Sequence, residues 1–317
     1  TASGVFAMDS MQMNAQEFRI LTPASRIGFD ATMGLDTINP PLKVVLNASV
    51  SPDDLKKLLP EAAAPIAATL PPYTPLIIEA NAEGHMNNLT VNQASASIAR
   101  HISLEAKGHI ADYTDLNTAV GNLRISGAIP NGNFIKPALF DAKTQRQINL
   151  PPLRIIGNAK INKGVIDGNL KAVTSNGNVA LDAWWNNRRE AYEVSLDLNT
   201  FPIQSILPLS GARDIDATAT VSGSGLDILS RATEATAKIV LNHVEYNGKS
   251  YNDITLDASV ADGHASVDAL SRNKNANFTL KAEGNLAGDE YDWIFDGDIR
   301  HIDLYALALS DTTAEGS

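Results

Sequence analysis

The 317-residue sequence contains no cysteine, which excludes disulfide bonds, thiolate metal sites and cysteine nucleophiles. It also lacks any run of about 18 apolar residues, the length at which a segment is read as a transmembrane helix. The chain begins at Thr1, and neither the basic nor the apolar stretch of a signal peptide follows. We therefore expect the sequence to be a processed form or an internal piece of a longer protein.

Basic clusters and aromatic residues are scarce as well. The formal net charge is −11, and the longest basic pair, Arg188-Arg189, is followed directly by Glu190. A groove that follows a nucleic-acid backbone needs clustered lysine and arginine, so the sequence argues against nucleic-acid binding. Aromatic residues make up only 6% of the chain, too few for the two aromatic girdles of a transmembrane barrel.

Motifs that carry enzyme chemistry are missing. The six histidines form no HExxH motif, and Gly223 and Gly225 lack the third glycine and the helix start of a dinucleotide-binding loop. The acidic stretch from Asp289 to Asp298 lacks the spacing of a calcium loop and is typical of a strand with an acidic face. The sequence therefore predicts no enzyme activity, no cofactor and no metal site.

What the sequence does contain is alternation of apolar and polar residues. The segment YNGKSYNDITLDASVADGHASVDAL, from Tyr246 to Leu270, places Ile254 and Leu256 on one side of an extended chain and turns at Asp262-Gly263. Similar alternation begins near residues 27, 44, 76, 102, 192 and 276. It predicts half-buried strands, and the turn residues between them predict hairpins and meanders.

Helix signals are few. Residues 51–70 begin with a serine N-cap, a proline and two acids, and shorter helices are predicted near residues 133–147 and 201–210. The motif Leu55-x-x-Leu58-Leu59-Pro60 returns as Ile203-x-x-Ile206-Leu207-Pro208, which leaves a long internal repeat and chance similarity as open alternatives. Helices this short cannot cover the apolar faces of about fifteen strands.

A strand with one apolar face is stable only if that face is shielded from water, and three arrangements provide such shielding. A sandwich buries two sheets against each other, a transmembrane barrel turns its apolar face to lipid, and a curled sheet encloses that face in a groove. No linker divides the chain as successive sandwich domains would require. We therefore predict a mostly β fold, an elongated, curled and solenoid-like antiparallel β-sheet groove with a few short helices, continuous over residues 1–317.

Five segments carry a family resemblance, and the family's characteristic pattern of strand, glycine turn and second strand is seen in the segment Tyr246–Leu270. They are LTPASRIGFDATM (Leu21–Met33), ASVSPDDLKKLLP (Ala48–Pro60), PLIIEANAEGHMNNLTV (Pro75–Val91), the segment Tyr246–Leu270 quoted above, and NANFTLKAEGNL (Asn275–Leu286). Their order, over most of the chain, resembles the periplasmic β-repeat region of the AsmA-like/TamB family of Gram-negative bacteria. The anchor helix and the C-terminal domain of that family are not recognisable, so the resemblance implies an internal segment.

The resemblance implies a long U-shaped sheet, a β-taco, whose apolar groove crosses the periplasm in a full-length protein anchored to the inner membrane. It implies phospholipid as the cargo, and contact with the inner and outer membranes through regions outside this segment. For the TamB branch it also implies assembly or secretion of outer-membrane proteins together with an outer-membrane barrel of the TamA type.

We predict that the groove shields and conducts phospholipid acyl chains between the two membranes and so supports outer-membrane biogenesis, without catalysis. A structural β-sandwich would use the same residues as ordinary core, and a scaffold for outer-membrane β-proteins would act through an edge strand; the sequence leaves both alternatives open. The predicted groove-lining residues are Val44, Leu46, Ile78, Ile102, Leu104, Val194, Leu196, Leu198, Ile254, Leu256, Phe278, Leu280, Trp293 and Phe295.

Overall fold

A computed structural model describes residues 1–35, 38–58, 70–207, 211–286, 292–303 and 315–316. The chain divides into two compact units, Thr1–Gly164 and Val165–Ser317, which we call unit 1 and unit 2. The predicted fold class, mostly β and antiparallel with a few short helices, is confirmed. That one groove runs without interruption through residues 1–317 stays a prediction.

Unit 1 is a meander in which each strand is antiparallel to the next one in the chain. Alternating side chains and short turns favour this arrangement because consecutive strands can pair without a long crossover. Its described strands are β1 (Ala2–Met8), β2 (Gln12–Leu21), β3 (Arg26–Gly34), β4 (Pro41–Val50), β5 (Leu76–His85), β6 (Asn88–Ile98), β7 (Ile102–Ala111), β8 (Val120–Ile129) and β9 (Leu153–Asn162).

Unit 2 is a second meander of the same kind. Several of its strands reach 13 residues, so that each can carry apolar side chains in several successive positions. Its described strands are β10 (Val165–Val173), β11 (Asn178–Asn186), β12 (Ala191–Pro202), β13 (Ala212–Ser224), β14 (Glu234–Tyr246), β15 (Lys249–Ala261), β16 (His264–Asn273), β17 (Ala276–Asn285), β18 (Trp293–Asp303) and β19 (Glu315–Gly316).

Short helices interrupt the meanders where they were predicted. Helix α1 (Pro52–Leu58) follows β4, and residues 59–69 of the predicted segment lie outside the described residues. Between β8 and β9 lie a 3-10 turn (Asn133–Ile135), α2 (Lys136–Leu139) and α3 (Ala142–Gln147). Helix α4 (Ile203–Ile206) follows β12. None of the described helices has the length and apolar character needed to span a bilayer.

The helix predicted for residues 201–210 begins two residues later than the sequence suggested. Phe201 and Pro202 belong to the end of β12, where they pair with Ile215 and Asp214. Backbone pairing with β13 therefore outweighs helix formation at these two positions, and residues 208–210 lie outside the described part of the chain.

In each unit, a β-bulge lies where the alternation of apolar and polar residues along a strand is interrupted. The bulge keeps the apolar side chains of that strand on one face. Glu17 has a φ of 49° in β2, and its backbone N–H donates a hydrogen bond of 2.7 Å to the Asp30 carboxylate. In β12, Thr200 has a φ of 43°, and its N–H donates to the Asp216 carboxylate over 2.5 Å. The extra residue in each strand lets the apolar side chains on both sides of the bulge point to the same face.

Helix α1 is tied to the sheet at both its polar and its apolar side. The Asp54 carboxylate accepts hydrogen bonds of 2.6 Å from both the Ser25 and the Thr22 hydroxyl groups, which lower the pKa of Asp54. On the other side, Leu55 packs against Ala48 and Val50 at the end of β4. The helix therefore covers one end of the apolar side of unit 1.

Truncating Leu55 should destabilise unit 1. Its side chain is only 8% exposed, so Leu55→Ala removes buried contacts, leaves a cavity and should cost about 2–4 kcal/mol. Hydrogen exchange of the β4 and β5 amides would measure this loss. The control is Lys56→Ala, which removes a solvent-exposed ion pair with Asp53 and should have little effect. Equal losses in the two variants would contradict the anchoring role of Leu55.

Candidate functional site

Strand pairing places apolar side chains in rows that cross each unit on one face. Residues directly opposite each other on antiparallel strands project to the same face, so the register defines each row. The longest rows span eight strands in unit 1 and nine in unit 2 and define what we call the apolar face of each unit. They are Ile20, Ile27, Ala48, Ile78, Ala96, Leu104, Gly127 and Ile155 in unit 1, and Leu170, Leu181, Leu196, Ala219, Ile239, Leu256, Ala269, Leu280 and Gly297 in unit 2.

The opposite face of unit 2 carries exposed charged side chains. In unit 2, Lys238 pairs with Asp257 and Lys281 pairs with Asp268, both over 3.5 Å. All four side chains are more than half exposed, so each pair contributes little to stability. These charged pairs instead show which face of the sheet stays in water. The apolar face is therefore the one that needs a partner.

All fourteen predicted groove residues lie on the apolar face of their unit. Val44, Leu46 and Ile78 lie on β4 and β5, and Ile102 and Leu104 lie on β7. Ile78 and Leu104 share one row. The nine residues of unit 2 come from β12, β15, β17 and β18, and they are Val194, Leu196, Leu198, Ile254, Leu256, Phe278, Leu280, Trp293 and Phe295. Their role in lipid binding stays a prediction.

None of these fourteen residues is buried. Twelve are half-buried, Leu280 is 40% exposed and Phe295 is 76% exposed. A second sheet packed face to face would bury such residues in a dry interface. At one end of unit 1, Leu46 and Ile78 contact the cluster around Leu55, so the chain itself covers part of the face there. Elsewhere the described residues leave these side chains partly open to solvent.

Small residues separate the large ones along each apolar face. In unit 1, the row through Phe29 and Leu46 continues through Ala80, Ala94 and Ala106. In unit 2, a row of the same kind contains Ala183, Ala237, Ala258 and Ala282. Because alanine projects only one carbon from the backbone, these positions form low tracks between leucine and isoleucine side chains. A thin, flexible apolar molecule could lie along such a track.

Sequence reasoning missed several residues of the apolar faces. Met13 and Met33 pair across β2 and β3, and the Phe18 and Phe29 rings pack in a tilted arrangement with centroids 4.5 Å apart. Phe29 and Met33 belong to the alternation that begins near residue 27, whereas the bulge at Glu17 breaks the alternation of β2 that would have revealed Met13 and Phe18. The members missed in β10 and β11 alternate normally and could have been found; they are Leu170, Ala172, Val179, Leu181 and Trp185.

Two polar side chains on the apolar face of unit 2 are buried. Ser271 is fully buried, and its hydroxyl donates a hydrogen bond to the Ala276 carbonyl over 2.5 Å. Tyr251 is 3% exposed, and burial, followed by the nearby charges of Asp303 and Tyr246, raises the pKa of its hydroxyl. Among the residues that the structure describes, no group of three or more His, Cys, Asp or Glu side chains could hold a metal ion. What this face offers chemically is apolar contact.

Comparisons with protein-family models, characterised proteins and solved structures gave no significant match to this chain. The resemblance to the AsmA-like/TamB family therefore rests on the sequence motifs and stays a prediction.

Proposed function

We propose that this chain binds phospholipid acyl chains on its apolar faces and lets them move along those faces between two membranes. The observation that supports the proposal is a set of apolar rows crossing eight and nine strands, in which the predicted contact residues are half-buried or exposed. Uncovered apolar surface of this extent is typical of a binding surface for an apolar partner.

The energetic benefit to a lipid is large. Exposing a sixteen-carbon chain to water costs roughly 12 kcal/mol at about 0.8 kcal/mol per CH₂. A sheet that contacts the chain from one side would remove about half of that cost, or roughly 6 kcal/mol. The headgroup stays in water throughout, so passive movement along the face requires no catalytic group.

The family resemblance supports the cellular setting of this proposal. It favours a periplasmic location, anchoring to the inner membrane, contacts with both membranes through other regions, and outer-membrane biogenesis as the process served. The rival proposal, a scaffold or chaperone for outer-membrane β-barrel proteins working with a TamA-type partner, would use the backbone of an edge strand. Proline removes a backbone hydrogen-bond donor, so proline in the edge strand would abolish scaffolding. It would leave lipid binding intact, because lipid binding uses side chains of the apolar faces.

Phospholipid should accompany the chain through purification without detergent. Native mass spectrometry should detect protein ions that carry phospholipid, because dissociation into water would expose the acyl chains. Chain that is denatured, delipidated and refolded should take up phospholipid again from vesicles, which separates binding from accidental carry-over. A folded, lipid-free chain that takes up none from vesicles would refute the proposed function.

A further inference from the structure

All five methionines of this 317-residue chain lie at one end of unit 1. Met8 ends β1, Met13 lies at the start of β2, and Met33 lies at the end of β3. Met11 lies in the turn between β1 and β2, and Met86 lies in the turn between β5 and β6. Elsewhere the large aliphatic side chains of the apolar faces are leucine, isoleucine and valine, so apolar character alone does not account for this concentration.

Three of the methionines form one row across adjacent strands. Met8 pairs with Met13 across β1 and β2, and Met13 pairs with Met33 across β2 and β3. Directly opposed residues have Cβ atoms about 4.5–5.5 Å apart, and a methionine side chain has three rotatable bonds. The thioether sulfurs of Met8 and Met33 can therefore converge on that of Met13 from both sides.

The backbone fixes a fourth methionine beside this row. The Met11 N–H donates a hydrogen bond of 2.7 Å to the Asp9 carboxylate, and the Met11 carbonyl accepts one of 2.7 Å from the Leu35 N–H. The first bond lies within the β1–β2 turn, and the second holds that turn against the end of β3. Met8 is 68% exposed and Met11 is 63% exposed, so an ion from solvent can reach the sulfurs.

Convergent thioethers select a particular kind of ion. A thioether is a soft, uncharged ligand without a proton to lose, and soft sulfur ligands favour Cu(I), whereas carboxylates and carbonyls favour magnesium or calcium. The chain has no cysteine thiolate to compete for the ion. We propose that Met8, Met13 and Met33 bind one Cu(I) ion, with Met11 available as a fourth ligand.

Met13 and Met33 belong to the apolar face of unit 1, but copper binding requires no lipid and has its own test. The intact chain is titrated anaerobically with Cu(I), kept reduced by ascorbate, in competition with a chromogenic Cu(I) chelator. We expect one Cu(I) per chain, with X-ray absorption showing sulfur neighbours. Met13→Leu removes the central ligand and should weaken binding by at least roughly the 10- to 100-fold that outer-shell changes cost at metal sites.

The matched control is Met86→Leu, which changes a methionine of the same end that lies outside the row. Leucine and methionine have similar volumes, so both variants should fold, and circular dichroism would verify this. Wild-type affinity in Met86→Leu together with loss in Met13→Leu supports the assignment. Failure of the wild type to compete for copper, a nitrogen or oxygen shell, or equal behaviour of the two variants would overturn it.

Discussion

Leu256→Arg should nearly abolish lipid binding at the centre of the apolar face of unit 2. Leu256 lies in the nine-strand row between Ile239 and Ala269. Arginine on a lipid-facing β surface costs about 2–4 kcal/mol at the apolar midplane, which corresponds to a loss of roughly 30- to 700-fold in occupancy. A photo-crosslinking residue placed at Ile239, which is 43% exposed, would report the loss as reduced crosslinking to phospholipid.

The control for Leu256→Arg is Thr255→Arg, which places the same charge one residue away on the opposite face. Thr255 pairs with Val240 and Leu270, outside the rows of the apolar face. Its arginine can extend its charged end into water, so crosslinking at Ile239 should stay near the wild-type level. Undiminished crosslinking in folded Leu256→Arg would show that acyl chains do not travel along this face.

Gly84→Val should unfold unit 1 or come close to doing so. Gly84 lies in β5 with a φ of 144°, and a Cβ atom there would collide with the backbone carbonyl of Asn88 and approach the Leu89 Cα to 3.3 Å. Valine would need both an unfavourable backbone conformation and displacement of the neighbouring strand, at a combined cost of more than about 3 kcal/mol. Chemical denaturation followed by circular dichroism would measure the loss.

Gly28→Val serves as the matched control for this effect. Gly28 lies in β3 on the polar face, and an added Cβ would meet nothing closer than the Asn47 carbonyl at 3.7 Å. Valine also suits an extended strand, so this variant should keep most of the wild-type stability. If both valine variants lost the same stability, the close approach of β6 to Gly84 would not be the cause.

How far the sequence predicts this fold depends on how regular each strand is. In β15, Ile254 and Leu256 alternate with Asp253, Thr255 and Asp257, and their prediction as members of one face agrees with the strand register. The same reasoning works wherever an uninterrupted strand has a polar and an apolar side, because side chains alternate with a period of two.

Other features depend on contacts that no local pattern contains. The bulge at Glu17 is held by Asp30, which belongs to the next strand, so the alternation of β2 fails for a reason located 13 residues away. Exposure is also non-local, because alternation is the same for a sandwich core and for an open face. The sequence therefore could not predict that Leu196 and Leu256 are half-buried and not fully buried.

The repeated motif at Leu55 and Ile203 corresponds to a helix between two paired strands in each meander. Leu55 belongs to α1, between β4 and β5, and Ile203 belongs to α4, between β12 and β13. Each helix interrupts a hairpin connection between neighbouring antiparallel strands. The motif therefore predicted where a helix is inserted, although the covering contacts of Leu55 depend on side chains from three strands.

The strictly sequential pairing within each meander affects how these units fold and how their length can change. Each strand pairs with its chain neighbours, so contact order is low for a β protein and ordering can spread from one hairpin to the next. Cooperativity is then a nearest-neighbour property, as in linear repeat proteins. Successive strands run in opposite directions. Adding or deleting two strands therefore leaves every later strand with its original chain direction and with its apolar side chains on the original face. Adding or deleting a single strand would reverse both. The hairpin is therefore the natural unit by which such a sheet lengthens.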